Sequence, residues 1–324
     1  MNYDKKSVQT IIARNKKINS ILNKSYKDLS LRFTTVKGKR FAKVLRKELN
    51  ALRASLRANI EQGIKQQWTL GNQKIDTITD GYLQNVKVSE DLYKSFRVPN
   101  LGVLNTFLNR TERGMNLSKR IWGISNTAQI QIQEFLASGI TVGKPAIKVA
   151  KDLERYMTGK GVQYKGTLLK ARNIRWEALR LAITEANMAF RLAEETKVKQ
   201  LPFITGCTIH LSPSHPRMDV CDDLLGDYPK DFVWGGWHPV CICYRTWKKV
   251  SPKDFVKFMK TGQIAKSNFI TKMPPKMNAF MKTNAKKLGG YVKRGTEPYW
   301  MRDNFNKDLT VKQTKRGWGD DRRD

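Results

Sequence analysis

The chain has 324 residues, of which 40% are hydrophobic, and it carries a formal net charge of +33. The sequence has no run of about 18 apolar residues, so no membrane span is expected. The N-terminal residues lack the apolar core of a signal peptide. The basic excess favours a polyanionic partner: nucleic acid is the commonest, with an anionic membrane or an acidic protein as alternatives.

The N-terminal part of the chain has apolar residues at intervals of three and four, which predicts amphipathic helices. Two long helices are expected over 4–29 and 39–68, and the second has a basic opposite face. Shorter helices are expected over 72–88 and 101–112. The mixed stretch between them, 85–100, predicts a turn near its end at Pro99-Asn100.

The middle of the chain continues this helical pattern. Residues 117–138 predict a helix broken near Gly123, and Pro145 fits the first turn of the next one. A loop is expected over 158–168. The stretch 171–199 contains neither Gly nor Pro and predicts one long helix. Glu185 near its centre is compatible with a buried polar contact or with a solvated face.

The C-terminal part changes character. Two segments rich in extended-structure formers, 202–211 and 241–250, predict strands that pair in antiparallel fashion. Helices are expected over 253–260 and 276–287, and residues 314–324 predict a flexible tail.

These elements predict a mainly α protein, with an elongated multi-helix N-terminal region and a small α+β module stapled by a metal near the C-terminus. Four consecutive regions are expected. They are a basic helical region (1–114), a second helical region (115–200), a Cys/His module (201–250) and a basic helical and flexible C-terminal region (251–324).

All four cysteines and all three histidines lie between Cys207 and Cys243. Within that segment, His238, Cys241 and Cys243 are close enough in sequence to bind one ion, and Cys221 is the natural fourth ligand. Thiolate and imidazole ligands in a tetrahedral set are typical of structural zinc. The sequence therefore predicts a Cys₃His zinc site, although a framework of two disulfides is an alternative.

Two other residues of the segment leave the ligand set open. His215 is an alternative ligand in place of one cysteine, and Asp219 is expected to accept the second ring N–H of a ligating histidine. Cys207 is interpreted as a small buried residue, and His210 as a structural or surface residue.

Three common enzyme motifs are missing from the sequence. It contains no HExxH, no HxE with PCxxC, and no GxxxxGK[ST]. The chain is therefore predicted not to be an enzyme. A nuclease-like effector or toxin with its site within 207–243 is the first alternative, and a basic zinc-containing nucleic-acid-binding module is the second.

The Cys/His segment resembles the C-terminal signature of tailed-phage head morphogenesis proteins, the minor capsid proteins of the Mu-like type. The family pattern H…DxCD…G…P…HPxCxC falls on His215, Asp219, Cys221, Asp222, His238, Pro239, Cys241 and Cys243. The resemblance extends over about residues 115–250. Some members carry CxxC at the first cysteine, whereas here Cys221 is followed by Asp222, Asp223 and Leu224.

This resemblance implies a role rather than a reaction. Members are few-copy components of the phage head that associate with the portal, assist prohead assembly and in some cases enter the cell with the DNA. The expected partners are thus the portal protein, other head proteins and packaged DNA. The expected location is the virion, in the head interior or at the portal vertex, after assembly in the host cytoplasm.

Overall fold

A computed structural model describes residues 2–35, 39–84, 86–141, 146–159, 173–213, 215 and 218–312. Within these ranges the protein is mainly helical with a small sheet towards the C-terminus, which confirms the predicted fold class. The helices are α1 (Tyr3–Thr35), α2 (Lys39–Leu83), α3 (Glu90–Ser95), α4 (Leu101–Asn109), α5 (Leu117–Thr141), α6 (Ala146–Thr158), α7 (Ile174–Lys199), α8 (Val220–Asp223), α9 (Pro252–Thr261), α10 (Pro275–Thr283), α11 (Ala285–Lys293) and α12 (Tyr299–Asn304).

In the described part of the chain, two antiparallel sheets accompany these helices. A short hairpin joins β1 (Thr111–Glu112) to β2 (Met115–Asn116). The second sheet has the order β4-β3-β5, where β3 is Ile204–His210, β4 is Gly226–Pro229 and β5 is Tyr244–Lys249. The predicted pairing of the two long strands is confirmed, with Cys207 opposite Trp247. The third strand, β4, was not expected, because the sequence GDYP has the composition of a turn.

Several predicted boundaries are wrong. Helix α2 continues through the predicted gap at 69–71, and α5 continues through Gly123 without a break. The helix expected over 276–287 is two helices, which meet at Asn284. The helix expected over 101–112 ends at Asn109, and β1 begins two residues later. The predictions for Pro145, for most of the loop 158–168 and for the tail 314–324 lie outside the described residues.

The continuity of α2 has a packing explanation at Gly71. A Cβ atom there would lie 2.4 Å from the carbonyl oxygen of Phe190 and 2.8 Å from the Cβ of Ala193 on α7. Glycine at this position therefore permits a close approach of two helix backbones and does not terminate the helix.

By residue contacts the chain forms two compact units. The first comprises residues 1–7, 65–107 and 187–324, and the second comprises 8–64 and 108–186. These units cut across the four consecutive regions expected from the sequence, and that linear division stays a prediction.

The second unit buries the helical stripes that the sequence indicates. Ile18, Leu22, Leu49 and Leu56 are all at most 2% exposed. These pairs are four and seven residues apart, which is the burial pattern of amphipathic helices that pack by their apolar faces.

Glu185 on α7 is also buried in this unit. Its carboxylate accepts hydrogen bonds from Arg110 at 2.8 Å and Arg120 at 2.7 Å. Burial raises the pKa of Glu185, but the two guanidinium groups outweigh burial and hold it below its usual value. Of the two interpretations of Glu185, the buried polar contact is therefore the one found.

The first unit contains the sheet and an aromatic core. Phe203 stacks on Tyr82 with ring centroids 4.3 Å apart and meets Phe255 of α9 edge-on at 5.4 Å. Trp237 meets Trp300 of α12 edge-on at 5.8 Å. Large buried rings of this kind contribute much of the hydrophobic stabilisation of a small core.

Buried charges join α7 to α2 and β5 within the same unit. Glu194, 1% exposed, accepts hydrogen bonds from Lys74 at 3.0 Å, Trp247 at 3.1 Å and Arg245 at 3.3 Å. Because a buried carboxylate is costly without partners, this network constrains how α7 is placed against the sheet that carries the cysteines.

Candidate metal centre

Cys221 lies on the single-turn helix α8, which a capping box holds in place. The side chain of Asp219 accepts from the backbone N–H of Cys221 at 2.7 Å, and the side chain of Asp222 accepts from the backbone N–H of Asp219 at 2.8 Å. This reciprocal pair satisfies N–H groups that a short helix leaves open. As a result, the orientation of the fully buried Cys221 side chain is well defined.

His238 and Cys241 are brought together by a tight turn. The backbone N–H of Cys241 donates to the carbonyl oxygen of His238 at 3.2 Å. Pro239 is the second residue of the turn, and Val240 the third, with φ of 66°. A β-branched residue rarely adopts a positive φ, so the turn is strained there by about 1–2 kcal/mol. Strain of this kind is typical of functional sites.

The sulfur of Cys221 is the centre of the cluster. It lies 3.1 Å from Nε2 of His238 and 3.9 Å from Sγ of Cys241. Ligand atoms of Cys221, His238 and Cys241 lie within 4.8 Å of one another, as do those of His215, Cys221 and Cys243. Cys221 is common to both triads, whereas Cys243 falls in the triad of His215 and not in that of His238 and Cys241. The predicted set of four ligands therefore stays a prediction.

These distances can be compared with a tetrahedral zinc site. Zn–S bonds of about 2.3 Å and Zn–N bonds of about 2.05 Å place two bound sulfurs about 3.8 Å apart and a sulfur and a nitrogen about 3.6 Å apart. The Cys221–Cys241 separation of 3.9 Å matches this value, whereas the Cys221–His238 separation of 3.1 Å is shorter by about half an ångström. The donor types and their convergence fit a metal ion, and the Cys/His cluster can hold one.

The ring of His238 is held in an orientation suited to a ligand. Its Nδ1 lies 2.7 Å from the carbonyl oxygen of Pro239, and because a carbonyl can only accept, Nδ1 carries the proton. In the neutral ring Nε2 then has its lone pair free, and Nε2 is the atom that faces Cys221. Nε2 also lies 3.3 Å from Asp219, so Asp219 approaches the same nitrogen that faces Cys221. The expectation that Asp219 accepts the second ring N–H of a ligating histidine stays a prediction, since Asp219 also lies 3.7 Å from Nε2 of His215.

His215 has different surroundings. Its Nε2 lies 3.2 Å from Asp222 and 3.7 Å from Asp219, and its side chain is 10% exposed. His215, Asp219 and Asp222 form a third group whose ligand atoms lie within 4.8 Å of one another. The two carboxylates already serve as caps of α8, so this group connects the helix N-terminus to the cysteine cluster.

The three clustered thiols perturb one another. Contacts with Cys221 and Cys243 lower the pKa of Cys241, while contacts with Cys241 and Cys243 raise the pKa of Cys221. The contact with Cys221 lowers the pKa of Cys243, but the contact with Cys241 and burial raise it to about 12. Metal ligation requires the thiolate form of each bound cysteine, so the pKa values of Cys221 and Cys243 would have to fall when an ion binds.

Arg191 of α7, 5% exposed, holds the backbone around these cysteines. Its guanidinium donates to the carbonyl oxygens of Gly235 at 2.7 Å, Cys241 at 2.8 Å and Cys243 at 2.7 Å. The same group lies over the ring of Trp234, 4.3 Å from its centroid. A single buried cation thus fixes the loop before the turn and both cysteines after it.

Two further residues show how closely α7 fits this loop. Asn187, one turn before Arg191, donates to the same carbonyl oxygen of Cys241 at 3.0 Å. Gly236 has φ of 123°, and a Cβ atom there would lie 2.4 Å from Nη1 of Arg191. Sequence reasoning did not identify Arg191 or Asn187 as site residues. The one feature of the sequence that could have indicated Arg191 is the position of this cation beside the Ala-rich apolar stripe of α7.

The remaining cysteine and histidine of the segment, Cys207 and His210, lie outside the cluster. Cys207 is buried in β3, where burial raises its pKa to about 12, and it belongs to none of the donor groups of the described residues. His210 stacks on Tyr244 at 5.1 Å and contacts the hydroxyl of Thr246 at 2.8 Å. Both residues therefore have the structural roles that were expected.

The chain matches no known protein family, no curated protein and no solved structure in the comparisons made. The resemblance to phage head morphogenesis proteins accordingly stays a prediction. Among the described residues, no helix combines the length and the apolar character that a membrane crossing requires.

Proposed function

We propose that Cys221, His238, Cys241 and Cys243 bind one structural Zn²⁺ ion. The observation that supports the proposal is that Cys221 on α8 lies in one donor group with His238 and Cys241 of the strained turn and in a second group with Cys243, the residue before β5. Four protein ligands leave no open position for a substrate, which is the arrangement of a structural site. The free energy of binding would stabilise a segment whose aliphatic content is low.

We further propose that the protein is a minor capsid or head morphogenesis protein of a tailed phage, which contacts the portal and the packaged DNA. The resemblance of residues 215–243 to the family signature supports this, as does the net charge of +33. A metal-stapled module on a helical protein is compatible with an architectural role in a particle that is filled with a polyanion.

The metal proposal is tested by elemental analysis of the purified protein. One zinc per chain is expected for the wild type, and none for a variant with both Cys241→Ser and Cys243→Ser. The matched control is Cys207→Ala, which removes a buried thiol outside the cluster and is expected to retain the zinc. Wild-type protein that is folded and free of bound metal would contradict the proposal.

The virion role is tested by mass spectrometry of purified phage particles and by copurification with a portal ring. If the protein were found neither in the particles nor with the portal ring, the virion role would be wrong, and the proposed metal site would be unaffected. The enzymatic alternative has its own test. If the protein is a nuclease, the wild type should cleave DNA and a folded His215→Ala variant should not. That pattern would replace the architectural role with a catalytic one.

A further inference from the structure

The exposed charged side chains of the C-terminal helices are almost all positive. Residues 253–294 include ten lysines and one arginine, all of them exposed, and Asp254 is the one acidic residue of the stretch. From residue 255 to residue 296 the sequence has no carboxylate side chain. We refer to these eleven side chains, on α9, α10, α11 and the segments between them, as the basic helical surface.

None of these eleven cations forms an ion pair with a carboxylate in the part of the chain that the structure describes. Other basic residues of the same unit do: Lys74 pairs with Glu194 at 3.0 Å, and Lys248 pairs with Asp227 at 3.1 Å. Like charges without internal partners repel one another, and this cost is relieved by a polyanion that releases its own counterions on binding.

The basic helical surface is fixed to the folded unit. Helix α9 begins at a Ser251 cap with Pro252 in its first turn and ends at Gly262 with φ of 69°. Lys253, Lys257 and Lys260 lie on one stripe at positions i, i+4 and i+7, while Phe255 is fully buried. These cations are therefore held on ordered helices and do not form a mobile tail.

The other two helices are anchored in the same way. Met277 of α10 and Leu288 of α11 are buried in the core that also holds Phe255. Lys282 and Lys286 lie on either side of the junction between α10 and α11, and both are exposed.

The burial pattern favours nucleic acid over the other polyanions. A helix that lies on a membrane inserts an exposed apolar face, and a protein interface has an apolar centre. Here the apolar faces of the three helices are already used by the core. Val256, 37% exposed, is the one large hydrophobic residue of this surface that is exposed within the described residues.

We infer that the basic helical surface binds the phosphate backbone of double-stranded DNA without sequence preference. Ten of its eleven cations are lysines, which act as point charges towards phosphate, whereas base recognition favours the planar fork of arginine. The inference rests on the proposed contact with packaged DNA and locates that contact on this chain.

The test compares two variants of the full-length protein with equal loss of charge. One carries Lys257, Lys260, Lys286 and Lys293 changed to Gln. The control carries the same change at four exposed lysines of α1, which are Lys16, Lys17, Lys24 and Lys27. Binding to a short duplex of mixed sequence is measured by fluorescence anisotropy at several salt concentrations, with thermal unfolding and zinc content as checks on folding.

The first variant is expected to lose more than about tenfold in affinity. The slope of log affinity against log salt should become shallower by about 0.9 for each phosphate that a lysine no longer neutralises, or up to about 3.6 for four phosphates. The α1 control is expected to change much less. An equal loss of affinity in both variants would show a net-charge effect and overturn the inference, as would an unchanged slope.

Anionic lipid vesicles serve as the competing probe. If the first variant loses vesicle binding while duplex binding is unchanged, the surface is a membrane surface and the inference is wrong. The proposed virion role is tested independently of the DNA-binding surface, because it requires that the protein be present in phage particles. Lysine-dependent duplex binding by a protein that is absent from particles would remove that role and retain the DNA surface.

Discussion

Arg191 donates a hydrogen bond to the carbonyl oxygen of Cys241 at 2.8 Å, and the same nitrogen lies 3.9 Å from the sulfur of that cysteine. Within the described ranges, no carboxylate lies at ion-pair distance from this buried guanidinium. A Cys₃His zinc site carries a net charge of −1, because three thiolates exceed the charge of Zn²⁺ by one. Arg191 orients the loop, and in the proposed zinc site its guanidinium would balance that charge.

Arg191→Met should weaken the proposed zinc site. The three carbonyl oxygens would lose their buried donor, which costs about 1–3 kcal/mol of folding stability. Loss of a group that orients metal ligands typically lowers metal affinity about 10–100-fold. Competition with a chromophoric chelator measures the affinity, and urea unfolding of the zinc-loaded protein measures the stability.

The control for this change is Arg180→Met on the same helix. Arg180 forms a partly exposed pair with Glu177 at 3.6 Å, so its loss should alter stability by less than about 0.5 kcal/mol and leave zinc affinity unchanged. Equal effects of the two substitutions on zinc affinity would show that Arg191 does not act on the metal site.

The choice between the two histidines can be made with paired alanine variants. Because Nε2 of His238 faces Cys221, His238→Ala should lower zinc affinity strongly, whereas His215→Ala should have a smaller effect through its contact with Asp222. Absorption spectra of the Co²⁺-substituted protein report the ligand set directly. If the Co²⁺ spectrum changed in His215→Ala and stayed the same in His238→Ala, His215 and not His238 would be the ligand.

Gly71→Ala should destabilise the first unit, since the added Cβ would lie 2.4 Å from the carbonyl oxygen of Phe190. Overpacking of this kind costs about 1–3 kcal/mol. Gly81→Ala on the same helix is the control, because beyond its own stretch of helix nothing in the described part of the chain lies within 4 Å of the added Cβ. There alanine should stabilise the helix by about 0.5–1 kcal/mol. Thermal unfolding distinguishes the two, and a neutral Gly71→Ala would refute the close helix contact.

Lys230 should make folding stability depend on pH. Burial lowers its pKa from 10.5 to about 8 in the folded protein, where its Nζ donates to the carbonyl oxygen of Leu201 at 2.7 Å. Between these pH values the unfolded chain binds more protons than the folded one, so this group increases stability as pH rises from 8 to about 10.5. The difference in unfolding free energy between wild type and Lys230→Met should shift in favour of the wild type over that window. A difference independent of pH would contradict the lowered pKa.

Local patterns were sufficient for much of the helical fold. Leu45, Leu49, Leu52 and Leu56 are spaced as a helical stripe in the sequence, and all four are buried. Boundaries were less predictable, because glycine is read locally as a helix breaker while its actual role depends on its neighbours. Gly71 lies inside α2 because α7 passes close to it, and that approach has no signature in the sequence around residue 71.

In the candidate site, too, some features follow from the sequence and others depend on the tertiary structure. The kinds of donor and the short spacing of His238, Cys241 and Cys243 follow from the sequence, because covalent connection keeps such residues near one another whatever the fold. The position of Cys221 among them and the guanidinium of Arg191 beneath the turn depend on long-range packing. Residues 17 and 50 positions apart from their partners meet because hydrophobic burial and buried ion pairs place α7, α8 and β5 together.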